Sequence, residues 1–389
     1  MQTDLDLVII GAGCAGLGLG VELAKFNNET PKTLLLESRE EYQNDRTWCF
    51  WKGPNSVYSE LISHQWTKLI VRFAKEEISC DCSFAPYQIL PSSTFYDFAK
   101  QVIDQNSKLT LQMGNKVLKE PLYQEGWWHI ETQFGPIRTK TVVDTRPKPY
   151  QFLKKTKLWQ SFLGYEIESS RAIFDPSTAQ LMDFFHANRK FIGFNYILPQ
   201  TARKALIEFT VFADKPYLPD ELKNQLDQSI REYLNGSDFK ISRTESGIIP
   251  MGVPSVNLDQ RYQNNQGYVH VGLTAGGARA STGYAFQRIQ KWAVDCAQAI
   301  KHNGLPISHT VGSFLLTKMD DIFLNVIRNN PELGPTLFMH LFKKVKTKRL
   351  VRFLTDTGNI LDYIAVVRAL PVTPFLKVFF SDFNKNEQN

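Results

Sequence analysis

A chain of 389 residues is long enough for two closely packed domains, and 43% hydrophobic with 22% charged residues describes an ordinary folded protein rather than a disordered one. A net charge of +6 is mild, and without a zinc-finger or aromatic-rich nucleic-acid motif, nucleic acid is not an expected partner. No apolar run reaches the roughly 18 residues of a membrane span, and five cysteines without a CxxC pair read as free thiols, with no metal site expected.

The N-terminal stretch 5–37 opens with an apolar run, Leu5 to Ile10, that reads as a buried parallel strand. Gly11, Gly13 and Gly16 follow at GxGxxG spacing, with Cys14 and Ala15 between them, and an apolar helix is predicted to about Phe26. A second apolar run, Leu34 to Leu36, ends in Glu37, 21 residues after the last glycine. In this context Gly11 allows a tight turn, Gly13 lets the backbone approach a pyrophosphate, and Gly16 lets helix and strand pack closely. The helix N-terminus offers unpaired N–H groups to phosphates, and Glu37 can accept hydrogen bonds from ribose hydroxyls. Because the N-terminal segment is broken by glycines and lacks a basic start, it does not read as a secretory signal, and a cytoplasmic location is expected.

Arg39 lies two residues past Glu37, near the expected nucleotide. Asp45-Arg46-Thr47-Trp48 leads into the aromatic stretch Trp48, Phe50, Trp51, either as functional loop chemistry or as a packed loop over the nucleotide. Residues 66–90 alternate as short strands, and a helix follows with Ser92 or Ser93 as its cap. Residues 109–143 read as a strand meander closing on VVDTR, whose Asp144 returns to a nucleotide-binding sheet. Strands then run in series from 158 to 212, as expected for an antiparallel second layer. Pro219 to Leu234 reads as an amphipathic helix, YVHVGL as a late strand, Thr274 to Gly277 as a glycine turn, and about 284–302 as a helix. Beyond residue 310 the pattern is helical; 341–353 carries six basic residues and no acid, and Phe375, Leu376, Val378, Phe379 and Phe380 lie near the end. The high aromatic content, 12% with 27 Phe, suits either an aromatic core or a large apolar ligand.

The order of parts resembles the flavoprotein fold of the aromatic hydroxylases: an early phosphate loop, VVDTR in the middle, and a late loop VGLTAGG. More narrowly, the chain resembles the FAD-containing lycopene cyclases. NDRTWCFW at 44–51, GYEI at 164–167, LIEFT at 206–210, ESGIIPMG at 245–252, GGARASTGYAF at 276–286 and PVTPFLKVFF near the end carry the likeness. It implies an α/β fold with α+β elements. An FAD-binding Rossmann-like domain (1–65, 91–150, 240–308) would interleave with an antiparallel-sheet substrate domain (66–90, 151–239). A helical C-terminal region (309–389) would offer a membrane contact.

The resemblance also implies a function: proton-initiated, redox-neutral closure of the linear ends of lycopene into β-ionone rings, giving γ-carotene and β-carotene. Reduced FAD would stabilise the carbocation, with NAD(P)H as electron source. Lycopene and related linear carotenoids, and a membrane surface bound peripherally through 341–353 and the apolar C-terminal stretch, would be the partners. Cofactor contacts are expected at Gly11, Gly13, Cys14, Ala15, Gly16, Glu37, Arg39, Thr47, Trp48, Asp144, Gly272, Gly276 and Gly277. Glu208 in LIEFT is the candidate acid, since it sits among apolar residues whose burial raises a carboxyl pKa. Glu166 is the second candidate, as a base or as a partner sharing a proton; the plain alternative for either is a structural carboxylate. Two departures stand out: Phe209 occupies the place of a second acid, and Leu273-Thr274 replaces an acid before the late glycines. An FAD-dependent monooxygenase or an isoprenoid reductase would share the fold.

Overall fold

A computed structural model describes residues 4–53, 58–149, 153, 156–185, 187–253, 267–310 and 312–378. The chain runs β1 (Leu5–Ile10), α1 (Cys14–Ala24), β2 (Thr33–Leu36), β3 (Thr47–Trp51), β4 (His64–Trp66), β5 (Lys68–Phe73), β6 (Glu76–Asp81), β7 (Tyr87–Pro91) and α2 (Ser92–Asp104). It continues through β8 (Leu109–Gln112), β9 (Leu122–Gln124), β10 (Trp127–Thr132), β11 (Gly135–Asp144), β12 (Leu158–Ser169), β13 (Thr178–Phe184), β14 (Ile192–Pro199) and β15 (Lys204–Ala213). Then come α3 (Pro219–Leu234), β16 (Phe239–Met251), β17 (Tyr268–His270), α4 (Phe286–Asn303), α5 (Phe314–Asn329), α6 (Gly334–Lys344), α7 (Thr347–Leu354) and α8 (Ile360–Ala369).

β1 is apolar throughout because both of its faces are covered. Leu7 and Ile9 pack with residues of α1, α2 and α4, while Val8 and Ile10 pack with Trp128, Ile130 and Tyr268. The nucleotide-type sheet has the order β8-β2-β1-β11-β10-β9, with β17 beside the second half of β11. β2, β1, β11 and β17 run parallel, and Leu36, Ile10, Asp144 and His270 are register partners at their C-terminal ends. That edge is where an open α/β sheet holds a ligand.

The second sheet has the order β16-β12-β15-β14-β13-β5-β6. Its strands alternate cleanly. Leu163, Tyr165, Ile167, Ile207, Phe209 and Val211 face α3, whose Leu222, Leu226 and Ile230 complete that core. Leu206 and Phe212 point the other way, toward a core shared with Trp51, Trp66 and Tyr87 and with α5, α6 and α7. A small sheet, β3-β7-β4, sits between the two larger ones.

Four expectations change. β8 is not part of a meander: it follows helix α2 and so returns parallel to β2. β16, expected with the nucleotide-binding part, pairs along β12 for twelve residues and belongs to the antiparallel sheet. β7 pairs with β3 and β4 rather than with β5 and β6. Ser92 does not cap α2; its hydroxyl donates to Asp45 (3.1 Å) and accepts from the Arg46 N–H (3.0 Å), pinning the 44–51 segment. Of the apolar C-terminal residues, Phe379 and Phe380 lie outside the described residues.

Arg279, fully buried, ties the C-terminal helices to the rest. Its guanidinium holds Asp320 of α5 at 3.0 and 3.2 Å, contacts the Phe353 carbonyl of α7, and lies over the Phe353 ring. Breaking one side of such a pair leaves an uncompensated buried charge. Arg279→Met is expected to lower stability by about 3–5 kcal/mol, read as an earlier urea midpoint; an unchanged midpoint would refute the anchoring role.

Candidate active site

The phosphate loop has the shape its glycines require. Gly11 adopts φ +88°, and a Cβ on Gly16 would lie 2.0 Å from the Gly11 carbonyl oxygen. Nothing lies within 4 Å of a Cβ built on Gly13, no side chain caps α1, and no acid occupies its first turn. The helix therefore presents open, uncapped N–H groups to an anion. Cys14 and Ala15 occupy that first turn; burial pushes the Cys14 thiol up to about 12, so it stays neutral. Glu37 is buried and accepts from the Ala12 N–H (3.0 Å) and from Arg39 at Nε and Nη2 (both 3.1 Å). Burial alone would raise its carboxyl, but Arg39 outweighs this and holds it below the usual range. Arg39 in turn lies over the rings of Tyr42 and Tyr96.

Asp144 stands at the same sheet edge, yet its oxygens are taken by Arg146 and by the Tyr268 hydroxyl (2.8 Å). It braces the strand ends rather than presenting a free carboxylate. The late loop closes beside it: Gly272 and Gly276 have φ of +98° and +90°, and a Cβ on Gly277 would lie 2.7 Å from the Gly272 carbonyl oxygen. The Thr274 hydroxyl accepts from the Lys148 N–H (3.0 Å). The Gly272 N–H donates to Nε2 of His309 (2.9 Å), a residue the sequence reading did not single out. Uncapped helix end, open Gly13 and two glycine loops at one edge fit a dinucleotide with its pyrophosphate at α1.

The candidate acid sits on the second sheet, on strand β15. Register places Tyr196, Glu208, Gly164 and Glu245 side by side on four neighbouring strands, β14-β15-β12-β16, with their side chains on the face away from α3. Gly164 makes the rung work, since a Cβ there would lie 2.6 Å from Cγ of Glu208. The Glu208 side chain lies over that bare backbone and hydrogen-bonds Glu245. Burial, and then the charge of Glu245, push the Glu208 carboxyl well above its ordinary value against the opposing charge of Arg243, and this favours its protonated form. Glu208 keeps a small accessible surface.

Glu245 is anchored on its other side. Thr47 donates to it at 2.6 Å, and Arg243 pairs with it while donating to the Thr47 hydroxyl at 2.7 Å. Thr47 is thus placed at the carboxyl pair rather than at the phosphate loop. Trp48 stacks on Phe286 of α4 (5.0 Å, 28°). Glu166 lies two residues along the same face, held by Lys204 (2.8 Å) and Ser242 (3.0 Å), with Arg243 at 3.7 Å. Burial would raise its carboxyl, but Lys204, Ser242 and Arg243 keep it low. The partner of Glu208 is therefore Glu245, and Glu166 is an ionised neighbour one step removed. Phe209 faces α3, so a carboxylate there would not reach this rung.

Neutral, enclosed side chains surround the acid. The Tyr87 and Tyr196 hydroxyls touch, and burial holds both phenols and the Cys49 thiol protonated. Tyr284 packs on Trp51 at 5.3 Å. Cys49 and Tyr284 also line a cleft of about 900 Å³ that runs past Phe286 and His309 to α7 and α8. Glu208 itself does not line the cleft, although its charge acts on Cys49, which does. Among the described residues no cluster suits a metal ion and no helix is long and apolar enough to cross a membrane.

The fold has close relatives in shape. The flavin-dependent brominase Bmp2 superposes with a TM-score of 0.63 at 13% identity, covering 98% of this chain and 100% of that one. A geranylgeranyl bacteriochlorophyll reductase-like protein from Thermoplasma acidophilum gives 0.61 at 14% identity, over 95% and 96%. The halogenase PltM, solved with phloroglucinol and FAD, gives 0.56 at 11%, over 90% and 78%. The class defined by this architecture is the α/β flavoprotein fold with a Rossmann-like nucleotide domain. The family follows from sequence: the profile of the lycopene cyclase proteins matches residues 6–379, and the chain belongs to that family. A lycopene beta-cyclase from Pseudescherichia vulneris is 22% identical over 323 residues, 79% of this chain and 78% of that protein.

His309 gives the late loop a pH dependence. Burial, then Arg288 and His270, push its pKa down to about 3, against about 6.5 in an unfolded chain. Above pH 6.5 both states are neutral there; below it the unfolded chain binds a proton the folded one refuses, so stability falls as pH drops from 6.5 toward 3. Glu208 acts in the opposite sense, gaining stability with acid. His309→Gln is expected to flatten the loss of urea stability between pH 6.5 and 5, above the window of the low carboxylates; parallel profiles for both proteins would contradict the assignment.

Proposed function

We propose that the protein is an FAD-dependent lycopene β-cyclase that closes both linear ends of lycopene to give β-carotene by way of γ-carotene. The observation that carries this reading is the buried Glu208–Glu245 pair, set across Gly164 beside Tyr196. Glu208 delivers its proton to the terminal carbon–carbon double bond, and the resulting cation is attacked by the chain's own double bond, closing a six-membered ring. Loss of a ring proton to the carboxylate left behind restores the acid, so no atom or electron is gained or lost. Arg243 and Thr47 hold Glu245 as a fixed negative charge beside Glu208, which keeps the Glu208 proton in place until substrate arrives. The rings of Tyr196, Tyr284 and Trp51 exclude water and offer π-faces to a cation.

Gly11 to Gly16 at the start of α1 would hold the pyrophosphate of FAD, and Gly272 to Gly277 would border the cofactor at the late loop; in reduced form, with NAD(P)H as electron source, the flavin would supply an electron-rich surface that stabilises the cation. Because a C40 hydrocarbon resides in bilayers, the same reading includes peripheral association with a membrane surface. The fold alone does not separate this activity from a monooxygenase or an isoprenoid reductase.

Expression in a lycopene-accumulating host separates them. A mass-neutral shift to β-carotene is expected; hydrogen gain would indicate a reductase and oxygen gain a monooxygenase. Glu208→Gln is expected to lower ring formation by at least about a hundredfold while the purified protein stays yellow; full activity with reduced flavin would remove Glu208 from the chemistry. Gly164→Val is expected to keep the flavin and lose cyclisation, because its side chain takes the space of the Glu208 carboxyl stem; an active Gly164→Val protein would show that the rung geometry is dispensable.

A further inference from the structure

Helix α8 leaves an apolar face exposed. On α8 the buried face holds Asp362, bound by Arg352 at 2.8 Å, together with Val366 and Ala369. The outer face shows Ile360, Leu361, Ile364 and Val367, with Leu361 and Val367 each 58% exposed. Val372 (65%) and Leu376 continue it into the helical segment 372–378, and Phe314 (78%) and Leu315 stand at the start of α5. Apolar side chains spaced along one helix face are what a solvated helix avoids.

The basic stretch 341–353 is not itself that surface. Its Leu350, Val351 and Phe353 are buried in the core, Lys343 pairs with Glu76, and Arg352 with Asp362. Two of its remaining cations, Lys344 and Arg349, nevertheless border the apolar face. A groove of about 310 Å³ between the end of α6, α7 and α8 is lined by Lys344, Arg349 and Arg368, alternating with Leu361, Ile364 and Ala365. Among the described residues Lys344 and Arg368 have no carboxylate partner. Arg349 is 3.9 Å from an Asp362 already held by Arg352.

We infer that this face docks on a bilayer, with α8 lying in the interface, its apolar residues among acyl chains, and the groove taking the phosphate of an anionic lipid headgroup. Three cations set at the rim of an apolar strip match a surface that is negative outside and hydrocarbon just beneath. α8 is ten residues long, suited to lying on a membrane and not to crossing it. The same docking sets the large cleft against the bilayer: Tyr363 of α8, Leu316 of α5 and the exposed Phe84 all line it. Carotenoid then reaches Cys49 and Tyr284 sideways from the membrane, a delivery step that rests on the cyclase reading, whereas the docking does not.

The test is flotation of the full-length purified protein with vesicles of phosphatidylcholine, alone or with phosphatidylglycerol added. The protein is expected to float with the mixed vesicles and weakly with the neutral ones. Leu361→Ser/Ile364→Ser, two exposed positions, is expected to bind at least about tenfold more weakly at an unchanged urea midpoint. Lys344→Glu/Arg368→Glu is expected to lose the preference for phosphatidylglycerol. Inorganic phosphate at matched ionic strength is expected to release nothing. A wild-type protein left in solution with both vesicles, an apolar double variant that floats as wild type, or release by phosphate would each overturn the proposal. Flotation uses no lycopene, so these outcomes leave the Glu208 assignment untouched, and an inactive Glu208→Gln protein is expected to float normally.

Discussion

The site depends on two carboxyl groups that share one rung of a sheet with a glycine between them. Two carboxylates in contact do not both ionise in an enclosed setting, and here the asymmetry is built in. Arg243 and Thr47 bind Glu245, while Glu208 has neutral aromatic and thiol neighbours. The proton therefore belongs to Glu208. Gly164 supplies the remaining condition, because any larger residue would lift Glu208 off the strand and away from its partner.

Several contacts join the sheet that carries that rung to the nucleotide-binding part. The 44–51 segment does most of this joining. Arg46 reaches the Ser246 carbonyl and Thr47 reaches Glu245, so one short strand ties β16 to the nucleotide-binding part. Trp48 and Phe50 meanwhile stack on Phe286 at the start of α4. The Tyr87–Tyr196 contact adds a second tie between the small sheet and the large one. A displacement at any of these ties would be felt as a change in the distance between acid and cofactor site.

Elements whose pattern is set by local chemistry were legible in the sequence. The phosphate loop, the α3 helix from Pro219 to Leu234, and the alternation that buries Glu208 among apolar neighbours all follow from spacing and residue type. What was not legible is set by pairing. ESGIIPMG enters only through its resemblance to the family, and the antiparallel register of β12 with β16 is what turns Glu245 into the partner of Glu208. Glu166, the second candidate, belongs to the GYEI segment, and the strand gives it a separate, ion-paired position. His309 lies far in sequence from the loop it braces and carries no motif.

The C-terminal region shows the same limit from the opposite side. A run of cations in 341–353 looks like the membrane-facing element when charge is counted along the chain. Folding spends Lys343 and Arg352 on Glu76 and Asp362 and buries the apolar residues between them. The apolar residues of α8 look like core by their helical spacing, because periodicity reports that a face exists and not what it faces. Asp362 is drawn inward beside Val366 and Ala369, and Ile360, Leu361, Ile364 and Val367 are left exposed on the outer side of α8. Arg352 contributes twice to this arrangement: it neutralises Asp362 and it lines the cleft. The buried ion pair thus fixes the rotation of α8, which in turn decides that Tyr363 looks into the cleft while Leu361 and Val367 look out.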